Sequence, residues 1–588
     1  MILQVTCWSR CGHQPAVAPP SSVMACISNV HKDVAVNQIV STFGTGAGSR
    51  PIAPERQRHR LLCRIHGVRR RSLMTIHAQE IATVALGDGE ITIEEFVAVA
   101  RFGARVTFTP SYGERVRRSR KLIERFLSEN RLIYGVTTGF GDNVTEVISP
   151  EDAEALQRNI VLSHAVSVGE PLSVEVVRAI QLMMLVGLGQ GYSGTSLEVL
   201  YLIRDLLNNR ITPVVPGDGS VGYLGPEAHM ARVLLGEGRV LVDDVEVSAS
   251  AALQRFGLSP VTLGCKEGLT LTNGTHSVTA IGVLLAYDAA RAATVADTAA
   301  ALSLEALKGT IKAYDPRLQA MKKHPEQAAV AHNVRRILEG SAIVAKYRDY
   351  RVQDTYSLRG IPQIHGGARR ALKDAIDVVR DELHSVGDNP VVIPENDDGI
   401  ALMGANFDST FVGIQADLMA TALTVLAKIS ERRTDRMVNS NFSRLPAFLS
   451  PSPGLNNGYM IAQYTAAALY MEMKTSCQPA SVDSVPTCAN QEDPVSNAYL
   501  AVTKAYRIVG KLRYVLAIEL MCAAQAHEFL GPEEGSTASQ AVRRAIREVA
   551  PRVDADRFFG DDIEQIERLV YDGTILRSVE SVVGSLEF

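Results

Sequence analysis

Tyr134 heads the run Tyr-Gly-Val-Thr-Thr-Gly-Phe-Gly, in which Gly135, Gly139 and Gly141 would let a loop open and close over a ligand. A free phenol has a pKa of about 10. For Tyr134 to accept a proton near pH 7 to 8, that value must fall by two to three units, about 3–4 kcal/mol. A second group lies in Gln353-Asp354-Thr355-Tyr356-Ser357-Leu358-Arg359. Arg359 offers a planar fork that binds a carboxylate through two parallel hydrogen bonds. An isolated arginine is ordinarily a solvated charge, but this one follows Tyr356 by three residues and Gln353 by six. Ser163-His164, at the end of Leu156 to His164, could hydrogen-bond an imidazole or a phenol. Gly219, Gly222 and Gly225 crowd one turn in Gly-Ser-Val-Gly-Tyr-Leu-Gly-Pro-Glu-Ala-His-Met, residues 219–230. Any one of these glycines or tyrosines alone reads as loop or packing; the combined runs are far more specific.

The elements that must hold these groups are helical. A helix starts over Ile93 to Ala100, and Pro150-Glu151-Asp152 begins another with proline and acids in its first turn. Leu418, Met419, Ala422, Leu423, Leu426 and Ile429 recur at three- and four-residue steps, the spacing of one buried helical face. Long helical patterns also cover Ala286 to Ile311, ending near Pro316, and Ala498 to Leu530, broken only by Gly510. Alternation is sparse; Arg239 to Val247 reads as a small surface hairpin. An all-α architecture of long packed helices with small β elements at its edges follows.

Composition fits that of an enzyme with a large core: 588 residues, 46% apolar, formal net charge −4. Residues 1–73 differ, holding ten of the sixty basic residues and only Asp33 and Glu55 as acids, which leaves the rest at net −12. This stretch reads as a disordered leader or a misassigned start, followed by an N-terminal domain over 74–290 and a helical bundle with a C-terminal helical region over 291–588. No apolar run approaches bilayer length, Ala179 to Gly189 being among the longest, so neither membrane nor nucleic acid is an expected partner. Cys7 and Cys11 make no Cys-x-x-Cys, and the thirteen histidines lack metal-ligand spacing. Gly44-Thr-Gly-Ala-Gly48 lacks the strand and helix of a nucleotide loop. Cys265, Cys477, Cys488 and Cys522 read as thiols of a reducing, cytoplasmic compartment.

Taken together these runs resemble the signatures of the aromatic amino-acid ammonia-lyases and aminomutases (the histidine, tyrosine and phenylalanine ammonia-lyases among them) over nearly all of residues 75–588. In that family Gly-Ser-Val-Gly is followed by Ala-Ser-Gly, which cyclises with loss of water into an electrophilic methylidene-imidazolone ring. Here Gly222 runs directly into Tyr223. The resemblance implies that ring as cofactor, formed from an Ala-Ser-Gly between Gly222 and Tyr223, with no metal and no dissociable coenzyme. Without it the chain would be a non-catalytic helical paralogue. The resemblance also implies the all-α bundle of the ammonia-lyase and fumarase type, a homotetramer, and active sites assembled from three subunits.

By the same resemblance Tyr134 is the β-proton base and Gly222 precedes the ring. Asn273 and Arg359 bind the substrate carboxylate, and Gln353 and Tyr356 surround ring and substrate. Phe407 packs beside the electrophile, Glu492 faces the substrate or leaving amine, and Ser163 and His164 meet the aromatic head group. The Ser-His pair is like that of histidine ammonia-lyases and of bacterial tyrosine aminomutases. Gln491-Glu492-Asp493 leans toward the former; Asp142 and Tyr464 lean toward the latter. Two positions depart from the pattern: Asp408 follows Asn406-Phe407, and Tyr223 stands where aspartate is expected. The implied activity is deamination of an aromatic L-amino acid, histidine ahead of tyrosine, to an α,β-unsaturated acid and ammonia. The alternative is a 2,3-aminomutase that returns the ammonia to the β-carbon.

Overall fold

The computed structural model describes residues 77–588 apart from Pro150, Asn396, Asp397, Pro532 and Glu533, so the leader expected at 1–73 lies outside the described residues. The helices that position the site are, in chain order, α1 (Pro110–Ser128), α2 (Ala153–His164), α3 (Pro226–Leu234), α4 (Glu267–Thr272), α5 (His276–Ala306), α6 (Ile361–Leu383), α7 (Thr410–Val438) and α8 (Ala498–His527). The strands are short and peripheral. Thr83–Leu86 pairs in parallel with Arg105–Phe108, and Arg239–Val242 and Val245–Ser248 make the expected hairpin, with Val240 opposite Val247. Two further antiparallel pairs matter below: Val168–Pro171 with Pro216–Asp218, and Val391–Glu395 with Asp398–Leu402.

Local chemistry sets several boundaries. Ile93–Ala100 begins on a capping box in which Thr92 and Glu95 satisfy each other's backbone N–H groups. α5 starts ten residues before the expected Ala286. The break that defines its start is Asn273, in an extended conformation, followed by Gly274 at φ +121°. α8 runs unbroken through Gly510, where a break was expected. A mid-helix glycine costs only about 1 kcal/mol, which burial of the rest of α8 outweighs. On α7, Met419, Ala422, Leu423, Leu426 and Ile429 are buried, whereas Leu418 is 38% exposed, at the margin of the apolar face.

α5 forms the axis of the core, enclosed by α6, α7, α8 and the helix Val174–Leu188. An axial helix buried on every side has to satisfy any polar group it carries, because an unpaired buried charge costs several kcal/mol. Asp297 therefore meets His365 at 2.8 Å and Arg369 at 2.7 Å, and Glu305 meets His527 at 2.9 Å. Ser303 donates to Glu519 at 2.6 Å, and Glu519 in turn holds Arg433 at 2.5 Å. These pairs fix the rotation of α5 relative to α6, α7 and α8, which alanine-rich apolar faces by themselves would leave loosely specified.

The described residues from 77 onward cluster as one compact unit, and the boundary expected at 290/291 falls inside α5. The expectation that no stretch reaches bilayer length also needs correction. Glu267–Ala306 and Thr410–Val438 are long and apolar enough by length and composition, but 83% and 61% of their most apolar windows are buried inside the protein. They are core helices, apolar because other helices surround them.

Candidate active site

A cavity of 870 Å³ gathers Tyr134, Ser163, His164, Asn273, Phe407 and Glu492, residues far apart in sequence, together with the turn 219–225. Tyr134 lies in the loop after α1. Gly135, at φ +65°, lets that loop pass α4; a Cβ there would sit 2.4 Å from Leu269. Gln157 on α2, fully buried, donates to the Gly135 carbonyl and accepts from Leu269 N–H, both at 3.2 Å. It ties the tyrosine loop to the helix that ends in Asn273. The Tyr134 phenol accepts from Gly141 N–H at 2.8 Å. Burial raises its pKa, and the Cys488 and Glu492 side chains push the same way against the lowering effect of Gly141. Among the described residues of one chain, the Gly141 hydrogen bond favours the phenolate but is outweighed by burial.

His164 closes α2, with its Nδ1 3.0 Å from Ser163 Oγ. Burial holds its pKa below the ordinary histidine value, so the ring is neutral at neutral pH and can both donate and accept. Glu492 is fixed by Thr487, whose hydroxyl donates to it at 2.8 Å. Asn273, 7% exposed, caps the end of α4 and donates to the Asn389 carbonyl at 3.4 Å, so Asn389 joins it on the cavity wall.

The turn 219–225 is built on positive φ: Gly219 at +109°, Gly222 at +134°, Leu224 at +63° and Gly225 at +95°. Ser220 knots it, donating to Leu224 O at 2.8 Å and accepting from Gly222 N–H at 3.3 Å. Ser409, just before α7, donates to the Gly222 carbonyl at 3.0 Å. The Ala-Ser-Gly expected after Gly222 is not there: Gly222 and Tyr223 are adjacent residues. Tyr223, 3% exposed, places its ring edge-on to Phe407 at 4.9 Å and turns its phenol toward Glu492 and Thr487. The residues present at this turn do not make a methylidene-imidazolone. Beyond the turn, Glu227 in the first turn of α3 is fully buried; one carboxylate oxygen accepts from Ser277 N–H at 2.7 Å and the other has no partner among the described residues.

Other expected residues lie away from this cavity in the chain. Gln353 lines a separate hollow with Asp354, Thr355 and Arg436. Arg359 donates to the Asp354 carbonyl at 3.1 Å and lies over the Tyr356 ring, and Tyr356 itself is 61% exposed. Tyr464 projects from the exposed side of the helix Met460–Ser476. Asp142 is exposed beside the cavity, whose wall takes its neighbours Gly141 and Asn143 instead. Among the described residues, no lysine or arginine lines the 870 Å³ cavity beside Tyr134 and Asn273. Sequence reasoning missed Gln157, Thr487 and Asn389 as wall-building residues. Two of these roles arise from contacts across long stretches of chain, 116 residues for Asn273 with Asn389 and 112 for Leu269 with Gln157, which periodicity does not register; Thr487 lies only five residues from Glu492.

A family model described as aromatic amino acid lyase matches residues 91–548. The histidine ammonia-lyase of Symbiobacterium thermophilum is 46% identical over 507 residues, covering 86% of this chain and 99% of that protein. Among solved structures, histidine ammonia-lyase from Trypanosoma cruzi superposes with a TM-score of 0.79 at 33% identity, covering 85% of this chain and 95% of that one. Tyrosine aminomutase from Streptomyces globisporus gives 0.80 at 33% identity, with coverages of 85% and 99%.

Proposed function

This chain belongs to the aromatic amino acid lyase family and is a carbon–nitrogen lyase of that family, and on that footing we propose that it acts on L-histidine, eliminating ammonia to leave urocanate. The observation that carries the choice of histidine is the neutral, half-buried His164 beside Ser163 at one end of the cavity. It offers an imidazole substrate both a donor and an acceptor. In this reading Tyr134 takes the β-proton, the electrons of that C–H bond form the Cα–Cβ double bond, and the Cα–N bond breaks. Asn273 orients the carboxylate and Glu492 faces the amine.

Two requirements remain outside the cavity as one chain forms it. The carboxylate needs a cation, and Arg359 of a second copy is the proposed source; this gives the partly exposed Gln353–Arg359 segment its use. The same cation near Tyr134 would oppose the rise that burial imposes on the phenol. The leaving amine also needs an electron sink. No step is assigned to a methylidene-imidazolone, because Gly222 is bonded directly to Tyr223. A second reading rests on that junction alone: the cavity binds histidine without eliminating ammonia.

One experiment separates them. The purified chain is incubated with histidine, tyrosine and phenylalanine, conjugated acid is followed by ultraviolet absorbance, and histidine binding is measured calorimetrically alongside. Growth of absorbance with histidine supports the lyase reading, and binding without absorbance supports the second. Preference for tyrosine or phenylalanine, or a β-amino acid product, would overturn histidine deamination.

A further inference from the structure

The asparagines of the cavity wall are linked through a buried ion pair. Lys266, in the left-handed conformation at φ +70°, is the residue before α4, and Asn273 is the residue after it. The Lys266 ammonium meets Asp388 at 2.6 Å, with side-chain exposures of 0% and 2%. It also donates to Thr270, one turn along α4, at 2.9 Å. The other Asp388 oxygen accepts from Asn389 N–H at 2.7 Å. Asn389 then receives Asn273 Nδ2 on its carbonyl at 3.4 Å, while its side-chain oxygen accepts from Gly404 N–H at 2.8 Å. The path closes on itself: Lys266, along α4 to Asn273, across to Asn389, back through Asp388 to Lys266.

A buried ion pair contributes little net stability, since desolvation offsets attraction. Lys266 feels that cost: burial lowers its pKa, against the raising effect of Asp388. What the pair supplies is direction. α4 is only six residues long and is too short to hold its own orientation. Glu267, which accepts from Ser196 N–H at 2.7 Å, and Gln157, which accepts from Leu269 N–H at 3.2 Å, hold α4 to other elements, whereas the Lys266–Asp388 pair ties it to the 388–390 segment that carries Asn389.

We propose that the Lys266–Asp388 pair is the positioning element of the site, setting Asn273 and Asn389 in register and thereby the affinity for the amino acid. The ligand part of this inference rests on the histidine reading above.

The test replaces the pair by apolar side chains of similar size, Lys266→Met with Asp388→Leu, so that no lone buried charge remains to unfold the chain. The control is the same kind of exchange at a pair away from the cavity, Arg433→Met with Glu519→Leu. Histidine affinity is measured by calorimetry, and exchange of the Asn273 and Asn389 amides by hydrogen–deuterium mass spectrometry. The local exchange should weaken histidine binding about tenfold or more and speed amide exchange at both asparagines. The remote one should change neither by more than about twofold. Parent-like exchange at the asparagines in the local variant, parent-like affinity there, or an equal loss in the remote variant would each overturn the proposal. If the parent itself fails to bind histidine, the ligand assignment falls, and the exchange comparison alone decides the positioning role.

Discussion

Glu227→Gln is expected to stabilise the protein, and only at neutral and higher pH. The carboxyl is fully buried in the first turn of α3, and burial pushes its pKa up to about 7 from an ordinary value near 4.5, although Ser277 opposes the rise. In the unfolded chain the group ionises near 4.5, so between these two values the unfolded state has released a proton that the folded state retains. Its contribution is therefore favourable below about pH 4.5 and is lost as pH rises through about 7. The loss is about 1 kcal/mol at pH 5 and about 3 kcal/mol at pH 8, from roughly 1.4 kcal/mol per pKa unit. Glutamine keeps an oxygen for Ser277 N–H and carries no charge at either pH. Urea unfolding of parent and variant, at one protein concentration, should then show a gain of about 2–3 kcal/mol at pH 8 and less than about 1 kcal/mol at pH 5. Equal gains at both pH values, or none at pH 8, would refute an unpaired, charge-averse carboxyl at this position.

Other outcomes follow from the cavity and from what surrounds it. Tyr134→Phe should abolish ultraviolet-detected turnover of histidine while leaving histidine binding within about threefold, since only the phenol is removed from a ring that stays packed edge-on to Phe140; retained turnover would remove Tyr134 as base. His164→Leu should weaken histidine binding by about 1–3 kcal/mol and leave phenylalanine binding unchanged or improved. If histidine affinity survives, the head-group assignment is wrong. Arg359→Ala should lose activity alone, yet regain part of it when mixed with Tyr134→Phe chains and reassembled, because each variant supplies what the other lacks. No recovery would place the carboxylate partner elsewhere.

The residue types and their order were enough to identify the tyrosine loop, the glycine turn, the Gln353–Arg359 run and an all-helical build. Each of these depends on neighbours within one or two turns, such as apolar spacing along α7 and glycine where φ must be positive. The missing Ala-Ser-Gly was likewise legible in the sequence itself. Only the folded chain decided what Tyr223 meets, because its contacts with Phe407, Thr487 and Glu492 span 184 to 269 residues. It also decided that Tyr134, His164, Asn273, Phe407 and Glu492 share a cavity while Gln353, Tyr356, Arg359 and Tyr464 do not. Sequence spacing records which face of a helix is apolar. Which helices meet, and which carboxylate receives which ammonium, is settled by close packing and by the cost of leaving a buried charge without a partner.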